Sequence, residues 1–421
     1  MKRVRIALSG AGGYGGFYLP YLLENKWNLP MEFAGVVEPF AGRVAACRTC
    51  EAHGVKVFDS LESFYREREA DLVILACPIP YHAEQSLCAV AHGSHVLCEK
   101  PTAALPADAQ RMADGAKQAG REIFVGFQLS FTGPILTLKR DILSGRYGRV
   151  LSAKCMTLWE RDFAYYGRGS GWAGKLALPD GRPIRDSVAS NATAHYLHNL
   201  LFLLGGTMET AFPAQVEQAE LRRANRIETF DTCAVRLTGP EGAPILFLAS
   251  HATCGNLEPV FSLRFEHGEV FFTQNGTPRL WAVTDAGETV EYGDPTTEEE
   301  TAQKLIRTVR WVAGECEKPP CTVPTTMPFL HAMDAIFTDW KAEPYREEEI
   351  FTDEFKGRVF VPGLYERRVE RHRGGKRGHR KKRQKAPRIE RFGVRSGVLA
   401  FHRDALPFAG RLTPPRGPFR G

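Results

Sequence analysis

The sequence predicts an α/β fold: an N-terminal doubly wound parallel sheet, then an α+β domain built on an open, mostly antiparallel sheet. Three observations carry this. The chain opens as strand, turn and helix: the β-branched run Val4–Leu8 stops at Gly10-Ala11-Gly12-Gly13-Tyr14-Gly15, and an apolar helical spacing follows at Phe17, Leu19, Leu22 and Leu23. Short strands and helices then alternate to about residue 127. Strands such as Leu72-Val73-Ile74-Leu75 are apolar throughout, as a parallel sheet covered on both faces requires. Beyond residue 150 strands dominate, joined by turns such as Gly239-Pro240-Glu241-Gly242.

Taken in order, strands and helices of the first domain are read at 3–9, 14–24, 31–38, 42–53, 56–58, 61–66, 71–76, 81–91, 95–98, 107–119 and 123–126. A helix at 132–144 and the turn Gly145-Arg146-Tyr147-Gly148 lead into the second domain. Its strands are read at 150–159, 214–221, 229–237, 244–250, 262–266, 269–273 and 278–283, and its helices at 192–204, 298–316 and 329–339. The expected domains are 1–127, 128–366 and a tail, 367–421.

At 421 residues the chain can bury two cores, and its 43% hydrophobic content is ordinary for a globular protein. No apolar run approaches the roughly eighteen residues of a membrane helix, and the first residues enter a strand without a signal-peptide pattern. Ten scattered cysteines read as reduced thiols, so a cytoplasmic setting is expected. Cys47 and Cys50 have CxxC spacing but no second metal-ligand pair, so no metal is expected. Residues 367–421 hold 18 of the 55 lysines and arginines but only 3 of the 49 acids. The net charge of +6 therefore conceals a mildly acidic body and a basic tail. That tail has no apolar periodicity. It reads as a disordered extension or as translation in a shifted frame, ahead of nucleic-acid binding, since it lacks a recognition motif or interleaved aromatics.

The opening turn has the residues a dinucleotide site needs. Gly10 permits the turn, Gly12 and Gly13 leave backbone N–H groups open to a pyrophosphate, and Gly15 lets helix approach strand, with Tyr14 between them. The second strand ends on Glu38, whose carboxylate would accept hydrogen bonds from ribose hydroxyls and repel a 2′-phosphate. NAD is expected over NADP, although Arg43 would soften the repulsion.

Ligands of such sheets lie beyond the carboxyl ends of the strands. Two tips there carry notable residues: Cys77-Pro78-Ile79-Pro80-Tyr81-His82 and Glu99-Lys100-Pro101. In this order and spacing, with Gly126-Phe127-Gln128 and Gly145-Arg146-Tyr147-Gly148, residues 1 to about 360 resemble the Gfo/Idh/MocA oxidoreductases. The resemblance implies a Rossmann domain, NAD(P)-dependent chemistry on sugars or polyols, and a sheet domain used for homo-oligomerisation. It implies that Lys100 is catalytic and that Cys77, Pro78, His82 and Glu99 flank the cofactor, with Gln128 beside the substrate.

The family's second-domain helix, Asp-x-x-x-His-x-x-Asp, corresponds here to Asn191 through Asn199. His195 keeps the catalytic place; Asn191 and His198 replace the two acids and remove two negative charges. On one helix Asn191 and His195 would share a face, and His195 and His198 would be neighbours. His198 reads either as a substrate contact or as a packed core histidine. Upstream, Trp159, Arg161, Tyr165, Tyr166, Arg168 and Trp172 mix aromatic faces with forked donors. Of these Arg161, Tyr166 and Trp172 are the candidate contacts to a polyhydroxylated or acidic ligand, the alternative being a self-packed loop.

The expected reaction is NAD-dependent oxidation of a sugar, polyol or sugar-acid hydroxyl, with His195 as base and Lys100 stabilising the alkoxide. The alternatives are a redox-neutral enzyme on glycosides that retains its NAD, and a non-catalytic NAD-binding module.

Overall fold

The computed structural model describes residues 3–168 and 171–364. The basic tail expected at 367–421 lies outside the described residues. The first half alternates strictly: β1 (Val4–Ser9), α1 (Gly15–Glu24), β2 (Met31–Val37), α2 (Ala45–Ala52), β3 (Val57–Phe58), α3 (Leu61–Glu67), β4 (Leu72–Leu75), α4 (His82–Ala91), β5 (His95–Cys98), α5 (Pro106–Ala119) and β6 (Ile123–Val125). All six strands are parallel, in the order β3-β2-β1-β4-β5-β6. The order reverses between β1 and β4, which opens a crevice at their carboxyl ends. Val4, Ile6, Leu8 and all of β4 are inaccessible to solvent, matching their unbroken apolar run.

After α6 (Gly133–Leu143) come β7 (Val150–Leu158), α7 (Phe163–Gly167), α8 (Ala194–Leu203), β8 (Gln215–Arg223), β9 (Thr232–Thr238), β10 (Pro244–Ser250), β11 (Leu257–Phe265), β12 (Gly268–Thr273), β13 (Arg279–Thr284) and β14 (Thr289–Gly293). Then follow α9 (Glu298–Val312), α10 (Val323–Asp339), β15 (Glu343–Pro344), β16 (Phe351–Asp353) and β17 (Arg358–Phe360). Nine strands form one sheet, β14-β13-β12-β11-β7-β10-β9-β8-β15. It is antiparallel except where β10 pairs with β7 and β15 with β8, so the carboxyl ends of β7 and β10 emerge side by side. The helix α8 packs against β7 and α10, and α10 also packs on α5. The chain returns to the first sheet just before α10, where Val125 N–H donates to Cys321 O at 3.0 Å. One apolar core runs continuously through both halves.

Several local readings change, four of them near the site or its supports. The helix expected over 42–53 breaks at Val44, which is extended (φ −105°, ψ 105°) and turns its methyl groups toward Gly12. The helix α10 begins at Val323 rather than 329. A reciprocal Thr322–Thr325 cap starts it, and Pro328 sits inside it without ending it. The helix expected over 192–204 does not contain Asn191 in α-helical register: Val188–Ala192 form a wider π-turn, capped by Ser187 and Ser190, before α8 begins. Within the aromatic stretch 159–175, for which a self-packed loop is the alternative reading, residues Phe163–Gly167 form the short helix α7, started by Asp162 accepting from Tyr165 N–H at 2.8 Å. No helix among the described residues is long and apolar enough to cross a membrane.

Candidate active site at the sheet crevice

The glycine turn is shaped by close approach. Gly10 has φ +88°, and a β-carbon there would lie 2.8 Å from the Ala76–Cys77 peptide; one on Gly15 would fall 1.8 Å from Gly10 O. Both positions admit only glycine. Around Gly12 nothing but the Val44 methyls comes within 4 Å, and around Gly13 nothing does. The N–H groups of Gly12, Gly13 and Tyr14 have no acceptor among the described residues, so the helix start presents free donors to an anion. Glu38 is nearly buried. Its carboxylate accepts from Ala11 N–H and Phe40 N–H, each at 3.2 Å, and so ties the turn to β2. It borders a cleft of about 480 Å³ that Glu51, Asp59, Phe40 and Arg43 also line. Free turn donors beside an acid-lined cleft fit the pyrophosphate and adenosine ribose of NAD.

The tips expected to meet the cofactor are clamped together. His82, with 1% of its surface exposed, lies between Pro101 O and Cys77 O, each 2.9 Å from a ring nitrogen. It joins the tips after β4 and β5, with Pro78 extended at the first of them. Glu99 is also enclosed. Lys304 of α9 donates to its Oε1 at 2.5 Å, Tyr18 donates to the same oxygen, and a β-carbon on Gly126 would strike the carboxylate at 2.8 Å. Neither side chain is free to receive a ligand as it stands; they fix the loop that carries Lys100. Sequence reasoning missed Lys304, whose ammonium also donates to Tyr14 OH at 3.0 Å. Burial disfavours its charge, but Glu99 and Tyr14 outweigh that and hold its pKa above the ordinary lysine value.

Lys100 is partly enclosed and meets Asn191. Its ammonium donates to Asn191 O at 2.7 Å and to Oδ1 at 2.9 Å, an approach that the π-turn makes possible. The Asn191 amide donates in turn to Asp186 Oδ1 at 2.8 Å, while Asp186 Oδ2 accepts from Gly174 N–H at 2.7 Å. Asp186, 3% exposed, is the second residue the sequence reading missed. It returns a carboxylate to a site from which the Asp-to-Asn difference removes one, at one amide's remove. Burial pulls the Lys100 pKa down to about 8; Glu99 and Asp186 hold it up, and Lys304 and Arg168 push it further down. Burial likewise raises the Asp186 carboxyl above its usual range, against the hydrogen bonds it accepts.

His195 opens α8 within electrostatic reach of Lys100. Burial and the Lys100 charge hold it well below its usual pKa, so the ring is neutral at pH 7, and its buried Nδ1 has no partner. His198 points elsewhere: it stacks on Phe127 at 4.0 Å, with Ser130 Oγ 3.2 Å from Nε2, as a core histidine does. Burial lowers its pKa to about 3. Gln128 stands near the Tyr14 hydroxyl, at 3.5 Å.

The loop after β7 stacks charge on aromatic rings. Arg161 lies over Trp159 (5.4 Å) and Tyr165 (4.9 Å), and Arg168 over Tyr165 (3.5 Å) and Trp172 (4.8 Å). The Tyr166 hydroxyl is buried without a partner. Among the described residues no group of three His, Cys, Asp or Glu side chains is placed to hold a metal ion, and Cys47 and Cys50 are buried thiols on α2.

A strand-order reversal and a glycine turn with open donors define a dinucleotide-binding fold. Residues 4–127 match the family model described as "Oxidoreductase family, NAD-binding Rossmann fold" (GFO_IDH_MocA). A 1-carboxy-3-chloro-3,4-dihydroxycyclohexa-1,5-diene dehydrogenase of Comamonas testosteroni is 38% identical over 164 residues, covering 38% of this chain and 39% of that protein. An inositol 2-dehydrogenase of Acidothermus cellulolyticus is 31% identical over 153 residues, 36% of this chain and 44% of that protein. The matches thus span about two-fifths of these curated relatives. The fold extends further: the WlbA dehydrogenase of Bordetella pertussis, solved with NADH and UDP-GlcNAcA, superposes with a TM-score of 0.65 at 24% identity, over 80% of this chain and 96% of that one.

Proposed function

We propose that this chain is an NAD-dependent oxidoreductase acting on the hydroxyl of a sugar, polyol or sugar acid. The observation that carries the reading is the meeting of Lys100, from the tip after β5, with Asn191 in the π-turn that leads into α8, the helix whose first turn carries His195. Gly10, Gly12, Gly13, Tyr14 and Gly15 would receive the pyrophosphate and Glu38 the adenosine ribose. Three carboxylates at that cleft, Glu38, Glu51 and Asp59, against the single Arg43, favour NAD over NADP. When bound, NAD supplies the hydride acceptor. His195, neutral at pH 7, takes the hydroxyl proton, and Lys100 orients the oxygen and stabilises its developing negative charge. Asn191, Gln128, Arg161, Tyr166 and Trp172 hold the substrate. Glu99 and His82 act by holding the Lys100 loop, and Cys77 and Pro78 shape its floor.

The same reading has domains at 1–127 and 128–366, a cytoplasmic setting, and homo-oligomers formed through the open face of the nine-stranded sheet. The test is to purify the full chain, identify any nucleotide released on denaturation, and follow NADH absorbance with sugars, polyols and sugar acids. NADH formation that Lys100→Ala abolishes supports the reading. Turnover that survives both Lys100→Ala and His195→Ala contradicts it. Bound NAD with turnover of a glycoside but no net NADH supports the redox-neutral alternative.

A further inference from the structure

The two guanidiniums stacked on Tyr165 lack counter-charges. Neither Arg161 nor Arg168 has a carboxylate within ion-pair distance among the described residues; each donates only to a nearby backbone carbonyl, Arg161 to Glu160 O at 3.2 Å and Arg168 to Tyr165 O at 2.5 Å. The acids close by are committed elsewhere. Glu160 pairs with Arg358 of β17, Asp162 caps α7, and Asp186, which feels the Arg168 charge, spends its oxygens on Gly174 and Asn191. Half-buried cations left this way are costly unless something else supplies the charge.

Further polar atoms are orphaned in the same place. Arg161 Nε and Tyr166 OH are buried without partners. So is Nε2 of His251, which is 2% exposed and whose ring meets Tyr165 at 5.4 Å. Arg161 and His251 stand at the carboxyl ends of the adjacent parallel strands β7 and β10, so the central pair of the sheet delivers this cluster as a unit. A chain of contacts ties it to the reaction site: Arg168 stacks on Trp172, Gly174 two residues further on donates to Asp186, and Asp186 accepts from the Asn191 amide that holds Lys100.

We infer that Arg161 and Arg168 form the seat for an anionic oxygen group of the substrate, so that the hydroxyl presented to Lys100 and His195 belongs to a sugar carrying a carboxylate or phosphate ester. A planar fork presents paired N–H donors to such a group, and the flanking rings fix each fork before the ligand arrives. This rests on the proposed oxidoreductase reading and narrows its substrate class.

The test uses the full chain with NAD and three matched sets of probes: hexuronates, hexose 6-phosphates and the parent hexoses. Binding is measured by calorimetry and turnover by NADH absorbance. At least one anionic set binds tenfold or more tighter than the hexoses. That preference weakens as ionic strength rises, and it shrinks tenfold or more in Arg161→Gln and Arg168→Gln. The set that wins, uronate or phosphate, identifies the group. Equal binding of anionic and neutral probes, a preference unchanged in both variants, or binding of none of the probes overturns the inference. The wild-type preference and its salt dependence need no variant, so a misfolded substitution does not decide the matter. Arginine-dependent anion binding with no NADH from any probe upholds this seat and removes the dehydrogenase reading. Lys100-dependent oxidation of neutral probes without anion preference does the reverse.

Discussion

Two lysines flank Glu99, and their surroundings diverge. Lys304 is wholly enclosed, pairs directly with the Glu99 carboxylate and rests among the rings of Tyr14, Phe17 and Tyr18, so it stays charged. Lys100 meets an amide where a carboxylate would have fixed its charge, with Asp186 standing one hydrogen bond further back. Its proton affinity falls to about 8. The protein thus uses direct charge pairing where it needs a rivet between α9, α1 and the loop after β5. It uses an indirect one at Lys100, where the proposed mechanism needs a responsive cation. A buried pair is hard to break, because removing one partner strands the other; a lysine held by an amide is not.

The same substitution at both lysines breaks this comparison most sharply. On the proposed mechanism Lys100→Ala removes transition-state stabilisation, and the fall in kcat/KM is expected to be about 10²–10⁴-fold or more, comparable with His195→Ala. Lys100→Met costs little stability. Lys304→Met leaves Glu99 buried and unpaired and lowers unfolding free energy by about 3–5 kcal/mol, read from denaturant midpoints. Adding Glu99→Gln to Lys304→Met recovers much of that loss.

A smaller effect sharpens the picture through pH. In the proposed mechanism Lys100 must be charged to stabilise an alkoxide, and a lowered lysine pKa means that this charge is lost as pH rises through about 8. Activity of the free enzyme therefore falls above that pH. His195, held well below its usual pKa, gives no limb near neutrality. Asn191→Asp places a carboxylate directly on the ammonium and moves the alkaline limb upward by roughly 1–3 pH units, whereas Asp186→Asn moves it down.

The smallest effect concerns a third buried lysine. Lys139 donates to Thr210 O at 2.6 Å over the Phe202 ring, and burial lowers its pKa to about 7. Between pH 7 and the ordinary lysine value the unfolded chain binds the extra proton. Stability due to this group thus rises with pH across that window, by up to roughly 1.4 kcal/mol per pH unit. Thermal melts of Lys139→Met against wild type from pH 7 to 9 isolate it: the wild type gains stability relative to the variant as pH rises.

Residues near one another in sequence made most of the first domain legible. Gly10 through Gly15, Glu38 and Glu99-Lys100-Pro101 sit at strand tips, whose place follows from the alternation of apolar strands and helices. What stayed hidden needed three-dimensional closure. Lys304 reads as one polar residue on an amphipathic helix, and only the docking of α9 brings it to Glu99, 205 residues away in sequence. Asp186 precedes a π-turn that no apolar periodicity announces, although Ser187 and Ser190, spaced as a helix cap, mark a chain reversal there. The π-turn also separates Asn191 from the α-helical face it was expected to share with His195. The seven-residue spacing of Arg161 and Arg168 was visible, but the absence of acids to pair with them was not.

The most direct measurement of the central claim is the titration of Lys100 itself, by amine-selective labelling of the native protein from pH 6 to 11 with mass-spectrometric readout of its peptide. The account predicts half-maximal labelling near pH 8 in the wild type and a shift to higher pH in Asn191→Asp. Labelling that follows ordinary lysines near pH 10.4 and ignores Asn191→Asp would contradict it.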